Sequence, residues 1–101
     1  MLYVFHLIDK PGAADLRLRV RPEHKAYLAA MAERMAFAGP LLADDGQTMV
    51  GSLLVIDFES RAAATAWLAS EPFTQAGLYA STTVYAFSNL WPQKTGFPPA
   101  P

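Results

Sequence analysis

Two histidines, nine carboxylates, eight basic side chains and no cysteine set the chemistry open to this chain of 101 residues. Without cysteine there is no thiolate nucleophile, no disulfide framework and no Cys-zinc site, and two histidines leave little for any other transition metal. What remains is proton transfer by a histidine beside a carboxylate, with Ser, Tyr and Arg available to bind polar atoms. Neither a metal nor a cofactor is expected. Gly39, Gly46, Gly51 and Gly77 stand in unrelated elements, so no glycine pattern cradles the phosphates of a nucleotide or flavin.

His24 is the better placed of the two histidines. Arg21-Pro22 looks like a helix entrance, because a proline in the first turn lacks only an N–H that would be unpaired anyway. A ring just inside that entrance meets the positive end of the helix dipole, which favours the neutral imidazole able to accept a proton. A carboxylate such as Glu71, if it reaches the other ring nitrogen, opposes that shift, orients the ring and stabilises the imidazolium once formed. The plainer reading is a helix-start histidine that caps a carbonyl or a water. His6 lies mid-strand among apolar neighbours and reads as an interface residue.

Ser52 is not set in the Gly-x-Ser-x-Gly elbow of a nucleophile, so it reads as a hydrogen-bond donor to a ligand or a small residue beside one. Arg17, Arg19 and Arg21 alternate on an expected loop, where they either grip an anionic substrate or stand solvated and paired with carboxylates. Asp44-Asp45-Gly46 is a turn signal before it is a metal site.

These residues need elements to position them. Met1 to Ile8, rich in β-branched and aromatic residues, reads as a strand that stops at the turn cluster Asp9-Lys-Pro-Gly12. A helix is expected from Pro22 to about Phe37, with His24, Leu28, Met31 and Met35 on one face. Ala38-Gly39-Pro40 breaks it, and a short strand begins at Leu41. Met49 to Phe58 is the longest strand, Ser60 caps a helix over Arg61 to Ser70, and Phe73 to Gly77 forms one further turn with a left-handed exit at the glycine. Tyr79 to Leu90 is the last strand. Residues 1–90 thus form a single domain, and the Pro-rich tail of residues 91–101 is extended.

The order β-α-β-β-α-β is the α+β, ferredoxin-like pattern, an antiparallel sheet with both helices on one face. Tracing strands up and down places His24, Ser52, Asp44-Asp45, Glu71 and the arginine segment at one edge of that sheet. Both faces of the first strand are apolar, Leu2, Val4 and Ile8 on one and Tyr3, Phe5 and Leu7 on the other, and the third strand repeats this. A monomer seldom exposes such a face, so a homodimer packed two-fold through the open sheet face is expected.

Composition excludes other classes. Apolar types make up 52% and charged types 17%, enough side chain for one core and too little charge for disorder. A net charge of -1 offers no basic field for nucleic acid and no polybasic patch for a membrane surface. No signal peptide or membrane span is evident, and a cytoplasmic location is expected by default.

Taken in order, Met1-Leu-Tyr-Val4, Arg17-x-x-x-Arg21-Pro22-x-His24, Ala38-Gly39-Pro40, Gly51-Ser52 and Ala64-x-x-Trp67-x-x-x-x-Pro72-Phe73-x-x-Ala76-Gly77-Leu78 resemble the YCII-related family of small ferredoxin-like proteins, over nearly all of residues 1–90. The resemblance implies a dimeric α+β barrel and a His/Asp-centred site whose histidine is His24. The residue before the Pro-Phe pair is commonly Asp in that family and here is Glu71, one methylene longer. Relatives on this fold include lactone isomerases and dehalogenating lyases, so family alone does not fix a reaction. The expected function is a cofactor-independent lyase or isomerase acting on a small organic acid, aromatic or lactone-like. His24 and Glu71 are its dyad, Ser52 and Arg17 or Arg21 bind the substrate, and Phe73 walls the pocket. The rival from another class is a non-catalytic dimer that binds a small molecule in the same cleft. A cofactorless monooxygenase on the same barrel ranks third, because the substrate-activating residues of such enzymes have no match here.

Overall fold

Side chains alternate across β1 (Leu2–Asp9), and that alternation sets the layering. The structure, a computed structural model, describes residues 1–99; the tail of residues 91–101, expected to be extended, turns at Lys94–Phe97, where the Phe97 N–H donates to the Lys94 carbonyl at 3.2 Å, and its last two residues, Ala100 and Pro101, lie outside the described residues. β1 is central, paired antiparallel with β3 (Met49–Asp57) and with β4 (Tyr79–Phe87), while β2 (Met35–Leu42) pairs antiparallel with the far side of β3. The register sets Tyr3 opposite Ile56, Phe5 opposite Leu54 and Leu7 opposite Ser52. These side chains share the face covered by α1 (Ala14–Ala29) and α2 (Arg61–Ala69), where Leu28, Ala64, Leu68 and Trp67 complete the core. Phe5 lies at its centre, its ring 5.9 Å from that of Phe58 and 5.4 Å from that of Trp67. A fully buried ring of this size stabilises the fold by about 1.5–3 kcal/mol. Trp67, half-buried, packs against this core. The fold is the expected α+β one, a four-stranded antiparallel sheet with helices on one face.

The opposite face carries Val4, His6, Leu53 and, toward the β4 edge, Tyr85 and Phe87, which are 61% and 38% exposed. Among the described residues no helix is long and apolar enough to cross a membrane.

Several boundaries differ from the sequence expectation: β4 stops at Phe87, short of Leu90, and both ends of α1 shift in ways that matter for the site. The helix expected to enter at Pro22 begins eight residues earlier, at Ala14, so the arginine segment is helical and His24 lies deep inside α1. Proline in a helix interior removes the bond to the carbonyl four residues back, here that of Leu18. Leu18 and Pro22 are both exposed, so solvent can serve that carbonyl. The dipole argument for a neutral His24 therefore falls, since that field fades within the first turn. The helix also ends early, at Ala29, and a single 3₁₀ turn (Ala32–Arg34) leads into β2, which runs straight through Ala38-Gly39-Pro40. As an edge strand, β2 tolerates a proline that lacks a ladder donor.

Ser60 caps α2 as expected, its hydroxyl accepting from the Ala63 N–H at 3.1 Å, and Gly77 has the left-handed φ of 74° needed to leave the short α3 (Pro72–Gln75). Gly51, just before Ser52, is needed for a different reason. A Cβ there would stand 2.3 Å from the Leu7 carbonyl oxygen of β1, closer than any real contact. Gly51→Ala is expected to push β3 from β1 and lower stability by about 1–3 kcal/mol, a fall in Tm readable by circular dichroism. An unchanged Tm would show that the strands part without cost.

Candidate active site

Helix α1 has two buried residues, and both are ionisable: Arg17 and His24. With Arg21 and Leu28 they fall at i, i+4, i+7 and i+11, one stripe facing the β2–β3 half of the sheet. Burying such groups costs free energy unless every one finds a partner.

His24 finds Glu71. Its Nδ1 meets the Glu71 Oε1 in a short hydrogen bond, and Glu71 is fully buried. The extra methylene of Glu therefore does not keep the carboxylate from the ring. Glu71 is the N-cap residue of α3, and its other oxygen, Oε2, accepts from the Thr74 N–H at 3.3 Å and from the Tyr79 hydroxyl at 3.1 Å. One oxygen is thus tied to α3 and β4 while the other holds the ring. A carboxylate at Nδ1 makes that nitrogen the donor and leaves Nε2 with the lone pair. Among the described residues, Glu71 is the one hydrogen-bond partner of the ring.

Phe73 fixes the plane of that ring. It stacks on His24 with centroids 4.0 Å apart and an interplanar angle of 18°. Phe73 was expected to wall the substrate pocket, but it is fully buried beneath His24, so it positions the ring and does not line the cavity. Burial, and then the charge of Glu71, push the Tyr79 phenol well above its ordinary pKa, and the same two causes raise Tyr27. Tyr79 therefore stays a neutral donor to the carboxylate. Tyr79→Phe is expected to cost about 1.5–3 kcal/mol, as for a hydrogen bond to a charged group, measured by urea unfolding. A loss below a few tenths would mean that the hydroxyl contributes nothing to holding Glu71.

Arg17 is committed inside the protein. Its Nε and Nη2 meet the two carboxylate oxygens of Asp9 at 2.6 and 3.0 Å, and Nη2 also donates to the Ser52 hydroxyl at 2.9 Å. Its guanidinium lies 4.7 Å from the Phe73 ring centroid. The expectation that Arg17 holds a substrate anion is corrected by this geometry, because Asp9 already neutralises its charge in a bidentate pair. Ser52 accepts from Arg17 and keeps its own hydrogen for another acceptor.

These side chains surround one cavity of about 220 Å³, lined by Arg17, Arg21, His24 and Lys25 on α1 and by Pro40 and Ser52 on the sheet. The Asp44-Asp45 hairpin, expected at this edge, takes no part in the lining. Asp45 instead ties its own turn, accepting from the Gln47 and Thr48 N–H groups at 2.8 and 2.9 Å and from the Thr48 hydroxyl, which hold its carboxyl down at about 2. Arg19 is exposed, and His6 stands exposed on the opposite sheet face. Among the described residues no cluster of three or more His, Asp or Glu is arranged to hold a metal. Asp9, Tyr79 and Lys25 are not marked by any sequence signal; the β1–β4 register, which sets Asp9 opposite Tyr79, emerges only in the fold.

Comparison with known proteins follows the same outline. The chain is 36% identical over 98 residues to Protein YciI of Escherichia coli O6:H1, covering 90% of this chain and all of that one. It is 34% identical, with the same coverage, to an uncharacterised protein of Haemophilus influenzae. The solved structure of the 5-chloro-2-hydroxyhydroquinone dehydrochlorinase TftG of Burkholderia phenoliruptrix AC1100, in complex with 2,5-dihydroxybenzoquinone, superposes with a TM-score of 0.81. That pair is 30% identical and spans 87% of this chain and 94% of that one. An antibiotic biosynthesis monooxygenase, 19% identical with a TM-score of 0.53, over 87% of this chain and 97% of that one, shares the fold alone. The family model of the YCII-related domain matches residues 1–88, and the chain belongs to that family.

Proposed function

We propose that the protein is a cofactor-independent lyase or isomerase that moves a proton on a small ring-shaped organic acid. The observation that carries this reading is the buried His24–Glu71 pair opening on a 220 Å³ cavity, with the ring plane, the tautomer and the carboxylate each held by separate contacts. Such preorganisation is wasted on a merely structural histidine. His24 takes a proton from the substrate through Nε2, and Glu71 stabilises the imidazolium that results. Return of the proton to another substrate atom completes an isomerisation. Loss of an anionic leaving group X⁻ from the deprotonated ring completes an elimination of HX, with the proton left on His24, X⁻ released to solvent and no net change of oxidation state. Ser52 is placed to donate to a substrate oxygen. The similarity to a dehydrochlorinase of a hydroxylated hydroquinone supports the elimination arm.

The test is turnover by wild-type protein of two sets of compounds, chlorinated hydroquinones read by chloride release and muconolactones read by proton NMR. Turnover of a member of either set is the expected result. Ligands that bind and are recovered unchanged would make the protein a binding module.

The working unit in this reading is a homodimer. Val4, Leu53, Tyr85 and Phe87 leave an apolar sheet face uncovered, and a second copy packed on it two-fold is the simplest closed solution. Light scattering is expected to give twice the 11.0 kDa of one chain, with Tyr85→Lys shifting it toward a single chain. A monomer mass for the wild type would remove this assignment.

A further inference from the structure

Two cations at the mouth of the cavity have no partner among the described residues. Arg21 and Lys25, four residues apart on α1, both line the cavity that holds His24, and among the described residues neither makes a salt bridge or a side-chain hydrogen bond. Like charges at this helical spacing repel, at a cost to the helix. Arg17 cannot share their task, since Asp9 already neutralises it. The same two side chains also border an outer hollow of about 410 Å³, whose other lining residues are Leu18 and Pro22, both exposed and apolar. Arg21 and Lys25 thus mark the junction between an inner cavity with the base at its wall and an outer apolar shelf.

We infer that Arg21 and Lys25 form an anion clamp that selects a substrate carrying a carboxylate beside its reacting ring. The ring enters the inner cavity against His24 and Ser52, and the carboxylate stays at the junction between the two cations. Nε2 of His24 then meets the ring and not the acid group, whose negative charge would otherwise compete for the imidazolium. Lys25 and Arg21 are specificity-determining residues in this arrangement, and Arg17 is a positioning residue that fixes Ser52. The Leu18–Pro22 shelf beside the junction has room for a short apolar substituent on the carbon that bears the carboxylate. This assignment rests on the reading of the cavity as a substrate site, but its test does not require turnover.

Binding of benzoate and of its neutral isostere benzamide is measured by NMR titration of the folded protein, for wild type, for the double variant Arg21→Gln/Lys25→Gln and for His24→Gln. Both clamp side chains border solvent, so the double variant is expected to keep the wild-type amide spectrum away from α1. Wild type is expected to prefer benzoate by about tenfold or more at low salt, a preference that the double variant loses and His24→Gln keeps. Equal binding of the two ligands to wild type, no binding of either, or a preference that survives in the double variant would each overturn the clamp. The proton-transfer reading fails by a separate sign, turnover unaffected by loss of His24.

Discussion

Replacing His24 by alanine is expected to lower kcat on a turned-over substrate by a factor of about 10²–10⁴, the contribution of a positioned general base. Substrate affinity should change little, because the cationic groups at the cavity mouth, Arg21 and Lys25, remain. The protein should stay folded. His24 packs on Phe73 and bonds Glu71, so its loss removes one stacking contact and one hydrogen bond, and the cavity gives the vacated space access to water. Steady-state kinetics on wild type and variant check this. A kcat within a factor of about three of wild type would show that the ring takes no part in the slow step.

Replacing Glu71 by alanine is expected to damage both fold and activity. Three donors converge on this carboxylate, His24 Nδ1, the Tyr79 hydroxyl and the Thr74 N–H, and its side chain is wholly buried. Orphaning them, together with the cavity left behind and the loss of the α3 cap, should cost about 3 kcal/mol or more. For a chain of this length that is a fall in Tm of roughly 10–20 °C, read by calorimetry. Glu71→Gln separates the two effects. The amide keeps the shape and most of the packing, so stability should recover, but a neutral group cannot stabilise the imidazolium and kcat should stay low. A fully active Glu71→Gln protein would reduce Glu71 to a structural cap.

Residue types reveal the C-terminal half of α1 and conceal its N-terminal half. Helices are recognised from an apolar stripe, yet the buried positions of α1 are Arg17 and His24, so its N-terminal half carries no such signal and reads as an arginine-rich loop. The stripe becomes visible only once Asp9, Ser52 and Glu71 supply the partners that let those ionisable groups be buried. Strand β2 was hidden in a similar way, because Gly39-Pro40 breaks a helix or a central strand but not an edge strand. By contrast β1, β3, β4 and α2 carry their signals locally, in β-branched runs and in the Ser60 cap. His24, Glu71 and Ser52 were legible as one cluster because topology alone brings them to one edge. The division of labour between Arg17 and Arg21 was not. Which arginine is neutralised depends on the reach of Asp9 across the β1–α1 turn, a tertiary fact that no spacing encodes.

Proton transfer at His24 can be watched without knowing the physiological substrate. A muconolactone or hydroxylated ring acid that binds the protein is incubated in D₂O, and deuterium entry at its acidic carbon is followed by NMR with wild type and with His24→Ala. Exchange catalysed by wild type and absent in the variant is the result the account predicts. Exchange at equal rates in the two proteins, or none in wild type with the ligand bound, would contradict it.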